Sequence, residues 1–130
     1  MTDGFGCTQC WPADAAAAAQ VRQVLARQER LVDESHYGVS ILGCPHCNQR
    51  FVSVFTETID WEDGEDPQAS TLLPLTEAEA ADLVLRRSSL SEGDLNALAP
   101  QRRSLLSDFP KGATASLVFW GTGLLVGRHD

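Results

Sequence analysis

Every cysteine in this chain sits in one of two Cys-x-x-Cys pairs, Cys7-Thr8-Gln9-Cys10 and Cys44-Pro45-His46-Cys47. Thirty-three residues separate the pairs. A tight Cys-x-x-Cys turn brings two sulfurs to one side of a loop. Two such turns make a tetrahedral sulfur site once the chain folds back on itself, and that geometry suits Zn²⁺. A single metal shared by both pairs would therefore force residues 11–43 to leave one knuckle and return to the other.

The intervening length is greater than the 15–20 residues or so of common paired-knuckle zinc sites. Residues 13–32 account for the excess. They are rich in Ala, Gln, Arg and Leu, all strong helix formers, after a Pro12 and Asp14 start. Ala17, Val21, Val24, Leu25, Leu31 and Val32 fall on or near one helical face, with Arg22, Gln23, Arg27 and Arg30 on the other. The sequence thus predicts one long helix between the knuckles. Residues 38–43 then read as a short strand, and residues 50–59 as a β-branched and aromatic strand. Phe51 and Phe55 alternate with Val52 and Val54, so that strand is expected to be covered on both faces.

Residues 60–70 hold five carboxylates, Asp60, Glu62, Asp63, Glu65 and Asp66, punctuated by Gly64 and Pro67. This acidic turn is the clearest boundary in the chain. Beyond it, Thr76 and Glu79 form a capping-box pattern ahead of a helix over 77–88. Ser91, with Leu90 and Leu95 as a staple, starts another helix, which meets Pro100 and restarts through Leu105 and Leu106. Residues 116–120 and 124–126 are apolar runs across Gly121-Thr122-Gly123 and predict a terminal hairpin.

The 130 residues carry a net charge of −8, from 18 acidic and 10 basic side chains. That balance argues against a protein that tracks a phosphate backbone. Hydrophobic residues make up 43% of the chain, enough for a packed interior. No apolar run approaches the roughly 20 residues that span a bilayer, and residues 1–20 lack a secretory pattern, so a cytosolic location is expected. There thiols stay reduced, which favours metal ligation over disulfides. The alanine run at 15–19 and the preference for arginine over lysine fit a GC-rich bacterial gene.

The second knuckle, Cys44-Pro45-His46-Cys47-Asn48, lies between two predicted strands and resembles the knuckle and outgoing strand of zinc ribbons. Asn48 stands where that family usually has Gly, and both tolerate a left-handed backbone. The resemblance extends over residues 1–60 at most. It implies Cys7, Cys10, Cys44 and Cys47 as ligands of one closed, structural Zn²⁺. Other readings of the same cysteines stay open. Rubredoxins hold iron in two such knuckles, although the first knuckle here lacks their usual Gly-Tyr. Cys-Pro-His-Cys is also the dithiol of oxidising thioredoxin-fold proteins, where a following helix activates the thiolate; here a strand follows. His46 is expected to point outward, and His36 and His129 to be surface or cap residues. The acidic turn reads first as a solvated loop. Its functional alternative is a docking surface for a basic protein partner, formed by Trp61, Glu62, Asp63 and Glu65, with Trp61 as aromatic anchor. Outside that docking role, Trp61, like Trp11 and Trp120, reads as a core or core-edge residue.

The fold expected is α+β: a small zinc-ribbon-like hairpin with a long inserted helix, a helix pair, and a C-terminal β-hairpin. Residues 1–130 are read as one compact domain, with a knuckle half over 1–60 and a helical and hairpin half over 71–130. The expected function is a non-enzymatic, zinc-stabilised protein-interaction module of a bacterial cytosol: an adaptor, an immunity or inhibitor protein, or an accessory subunit. A thiol-redox or rubredoxin-like electron-transfer protein is the alternative. A nucleic-acid-binding zinc ribbon is disfavoured by the charge.

Overall fold

A computed structural model describes residues 4–126. Six antiparallel strands form one sheet in the order of the chain: β1 (Ala26–Glu34), β2 (Tyr37–Gly43), β3 (Arg50–Glu57), β4 (Gln68–Leu75), β5 (Arg103–Phe109) and β6 (Leu117–Thr122). Helix α1 (Ala15–Arg22) precedes the sheet, while α2 (Glu77–Leu85) and α3 (Glu92–Ala97) lie between β4 and β5. The fold is α+β, as the sequence predicts, but several elements differ from expectation.

The long helix is the first correction. It ends at Arg22, and residues 26–34 form β1 instead. Helix propensity over Ala26-Arg27-Gln28-Glu29 amounts to only tenths of a kcal/mol per residue. Pairing along β2 and burial of Leu31 outweigh it. The strand was hidden in the sequence because its register shifts between Arg27 and Glu29 and again between Arg30 and Val32. Those irregularities break the two-residue alternation that marks a strand.

The second correction lies in residues 68–75, taken for the end of a turn and a connector. They form β4, which pairs with β3 over its full length. Pro74 fits inside it because the ladder to β5 ends at Leu72, so no partner there requires the missing amide. The third correction is at the C-terminus. Residues 103–109, expected as a restarted helix, are strand β5, and β6 pairs with it. The turn falls at 110–116, closed by the Ala113 amide donating to the Pro110 carbonyl at 3.1 Å. Gly121 lies inside β6 rather than in a turn, and 124–126 is not a strand.

The sheet separates two cores. On one face Val39, Ile41, Val52, Val54, Leu73 and Leu75 pack under Ala80 and Leu83 of α2 and Leu95 of α3. On the other face Phe51, Leu72 and Leu105 pack under Trp11, Ala18 and Leu25. The double coverage expected of residues 50–59 is present: Phe51 and Val52, on opposite faces of β3, are both fully buried. Each would cost about 2–5 kcal/mol on truncation to Ala.

The capping boxes expected at Thr76 and Ser91 both form. The Glu79 amide donates to Thr76 Oγ1 at 3.1 Å, and the Thr76 amide donates to Glu79 Oε1 at 2.8 Å. Arg102 then grips the same carboxylate with two nitrogens, at 2.6 and 3.1 Å, while donating to the Pro74 carbonyl at 2.9 Å. Glu79 thereby ties the start of α2 to β4 and to the entry of β5.

Burial opposes the Glu79 charge, but the bonds from Arg102 and Thr76 outweigh it and hold its carboxyl below the ordinary range. A depressed folded value gives stability that is complete above the unfolded carboxylate value and lost as the pH falls through the folded one. Glu79→Gln should therefore cost about 1–3 kcal/mol at neutral pH, where a charge-assisted bond is lost. The gap to the natural chain should close as the pH drops below about 4. Urea unfolding at several pH values reads both effects.

Candidate metal centre

The first knuckle occupies the loop before α1, and the second is the turn from β2 to β3. Folding places all four cysteine sulfurs within 4.8 Å of one another. Cys7 Sγ lies 3.8 Å from Cys10 Sγ and 4.0 Å from Cys44 Sγ, and Cys10 Sγ lies 3.7 Å from Cys47 Sγ. These separations are far beyond a disulfide, whose bond is about 2.05 Å. A metal about 2.3 Å from each of four sulfurs would set them about 3.8 Å apart, so the sulfurs fit a tetrahedral thiolate site.

Local backbone shapes both turns. In the first, the Trp11 amide donates to the Cys7 carbonyl at 2.8 Å, and the Cys7 amide donates to Cys10 Sγ at 3.3 Å. In the second, the Asn48 amide donates to the Cys44 carbonyl at 3.0 Å, and the His46 amide donates to Cys44 Sγ at 3.4 Å. Asn48 has φ of 64°, the left-handed conformation its place after the knuckle implied. Gly6 has φ of 68°, and a Cβ there would come within 2.7 Å of Trp11 Cβ and 2.9 Å of Cys10 Sγ. Only glycine fits before the first cysteine.

Hydrogen bonding and burial set the thiols apart. The Cys10 amide hydrogen bond draws the Cys7 thiol down to about 7, whereas burial pushes Cys10 and, less deeply set, Cys47 upward. Four thiols this close cannot all ionise unless a cation neutralises them. Cys10 and Cys44 are buried, and Cys47 is exposed.

Gln49, which the sequence did not single out, and Trp11 lock the knuckles in place. Gln49 accepts from the Gly6 amide at 2.9 Å through Oε1, and its Nε2 donates to the carbonyls of Arg50 and Leu75 at 2.7 Å each. One side chain thus ties the first loop, the second knuckle and β4 together. Trp11, 2% exposed, packs its ring 5.4 Å from Phe51 and 4.9 Å from Trp120. Trp120 Nε1 donates to the Ala13 carbonyl at 2.9 Å, and the Arg103 guanidinium lies 4.1 Å from the Trp120 ring centroid. The core roles expected of Trp11 and Trp120 both appear, and the aromatic cluster fastens the first knuckle to the sheet.

His46 is exposed and stands outside the four-sulfur group, while His36 pairs with Glu57 at 2.9 Å. His129 lies outside the described residues. The Cys44–Cys47 dithiol runs from one strand to the next, with no helix starting at Cys44.

The acidic segment forms a built turn beside the sheet. Asp60 accepts from the amides of Glu62, Asp63 and Glu65, and Lys111 pairs with Asp60 and Asp63 at 3.2 and 2.9 Å. Partial burial opposes the charge on Asp60, but Lys111 and these amides hold its carboxyl below the usual range. Trp61 is 85% exposed, with Glu62, Asp63 and Glu65 exposed beside it. Trp61 therefore takes no part in the core.

No protein-family model, no curated protein and no solved structure matches the chain. Among the described residues, no helix is long and apolar enough to cross a membrane.

Gln49→Ala should weaken metal binding about tenfold, the usual effect of losing a group that orients ligands. Competition with a chromophoric chelator measures it. The retained cysteines should keep the stoichiometry unchanged.

Proposed function

We propose that the four cysteines hold one structural Zn²⁺ and that the chain is a zinc-stabilised, non-enzymatic protein-interaction module. The observation that carries this is the fit of the sulfur separations to a tetrahedral thiolate site. Four thiolates fill the tetrahedron, so the metal would act as a cross-link and leave no position for substrate. The resemblance of the second knuckle to zinc ribbons agrees with this reading. So does its turn from strand to strand, which withholds the helix N-terminus that activates oxidoreductase thiols.

Metal binding would contribute more than local order. Apparent binding energies of structural zinc are about 10–16 kcal/mol, comparable to the whole stability of a domain. Gln49 and the shared β3–β4 ladder join the knuckles to the rest of the sheet. Residues 1–130 are thus read as one unit that loses structure together when the metal is removed.

The partner-facing role falls to the exposed turn. Trp61, Glu62, Asp63 and Glu65 give an aromatic side chain ringed by negative charge, suited to a basic protein surface. A bacterial, cytosolic adaptor or inhibitor remains the setting we infer. Trp61→Ala should leave the melting temperature nearly unchanged while weakening recovery of the partner captured by the metal-loaded chain from its native host.

Elemental analysis of the purified chain should find one zinc per molecule. One iron per molecule with a red absorption would reassign the centre to the rubredoxin-like alternative. Cys44→Ser should lose the metal and melt at a much lower temperature. An unchanged melting temperature would show that these cysteines do not support the fold.

A further inference from the structure

The face of the sheet that carries the cysteines at one end carries a row of hydroxyls at the other. Ser40 on β2 stands opposite Ser53 on β3, and Ser70 on β4 stands opposite Ser107 on β5. Strand alternation places all four on the α1 side, in line with Leu42, Phe51, Leu72 and Leu105. Arg22, in the last turn of α1, reaches across this row. Its guanidinium donates to Ser70 Oγ at 2.7 Å and to Ser53 Oγ at 2.5 Å. The helical pattern puts Arg22 on the face opposite Val21 and Leu25; in the structure, at the last residue of α1, it lies over the sheet instead.

The charge balance here is unusual. The described residues place no carboxylate within ion-pair distance of Arg22, whereas Arg30, Arg86, Arg87 and Arg102 all have one. A guanidinium has five donors, and two neutral hydroxyls leave most of them and the whole charge unanswered. Burial drives the Arg22 charge down in affinity for its proton, the direction expected of a desolvated, uncompensated cation. A partly buried charge with no partner is costly unless something neutralises it.

Beside Arg22 opens a cleft of about 780 Å³. Ser40 and Ser53 line it together with the apolar side chains Leu25, Leu42 and Phe55 and with Arg27 and Arg30. Its size matches sites for small organic molecules, and its lining mixes a few apolar side chains with charged and hydroxyl groups. Asp33, paired with Arg30, and Glu34 also line the cleft, and the chain as a whole is strongly acidic, so a polyanion would be repelled.

We propose that this cleft is a binding site for a small organic oxyanion, a carboxylate or a phosphate monoester. Its charged group is held by the Arg22 guanidinium and its apolar body lies against Phe55 and Leu42. The fork geometry of arginine suits either head group, and the serine hydroxyls add donors. This site is separate from the cysteine cluster and does not depend on which metal that cluster holds.

The test uses the metal-loaded chain with two probes, phenylacetate and phenyl phosphate, followed by amide chemical shifts and by melting temperature. At least one probe should bind saturably at millimolar concentration or below, shift the amides of Ser40, Ser53 and Phe55, and raise the melting temperature. Preference for phenylacetate assigns a carboxylate ligand, and preference for phenyl phosphate assigns a phosphate monoester. Arg22→Gln should weaken binding at least tenfold. Arg22→Lys keeps the charge and stem, protects the fold if Gln does not, and should still lose affinity because the bidentate fork is gone. Absence of saturable binding by both probes, or affinity unchanged in either variant, overturns the proposal. An Arg22 that only covers the hydroxyl row would lower stability on substitution without any probe-dependent shift.

Discussion

Convergence of four sulfurs between the N-terminal loop and the β2–β3 turn is the constraint from which the α1 side of the molecule is built. The loop over residues 4–14 has little regular structure of its own. It reaches the sheet because Cys7 and Cys10 meet Cys44 and Cys47, and because Gly6 can approach where no side chain fits. Trp11 follows at once and is driven into the aromatic cluster with Phe51 and Trp120. Helix α1 then starts from the Asp14 cap, whose carboxylate accepts from the Ala17 amide at 2.9 Å. The first cysteine pair, Trp11 of the aromatic cluster and the helix start follow one another within a dozen residues.

The sheet turns that local arrangement into a whole fold. Its two cores depend on different partners. The α2 and α3 side is sealed by two short helices that begin at capping boxes and are braced by Glu79 and Arg102. The other side is sealed by one helix of eight residues and the knuckle loop. A helix of that length is marginal alone in water. Cys10 and Cys44 lie within this core, and Cys7 packs against it.

The same face is divided along its length. Near the knuckles its residues are aromatic and aliphatic, and beyond the end of α1 they become Ser40, Ser53, Ser70 and Ser107. Arg22 sits at the changeover. A sheet needs no hydroxyl row to hold its strands together, and a guanidinium without a carboxylate is a poor lid for one. The two ends of α1 thus carry different chemistry: four clustered thiols before the start, and a guanidinium over hydroxyls at the finish.

How much of this was legible in the residues follows from the range of the forces involved. The Cys-x-x-Cys pairs, the left-handed Asn48, the capping boxes at Thr76 and Ser91, and the double-faced pattern of Phe51 to Phe55 are local features. Each is set by a side chain and its neighbours within a few positions, so each could be read directly. Strand β1 could not, because its bulges erase the alternation and its helix-forming residues yield to pairing with β2. Strands β4 and β5 were hidden because a proline and adjacent leucines imitate a connector and a helix, and only ladder partners distant in the chain decide otherwise. The reach of Gln49 across three segments and of Arg22 over the serines depends on the same long-range packing. The sequence alone determined which cysteines could share a metal and where helices begin. The tertiary structure decided what those groups are braced by and where an unanswered charge is left, because both follow from contacts between residues far apart in the chain.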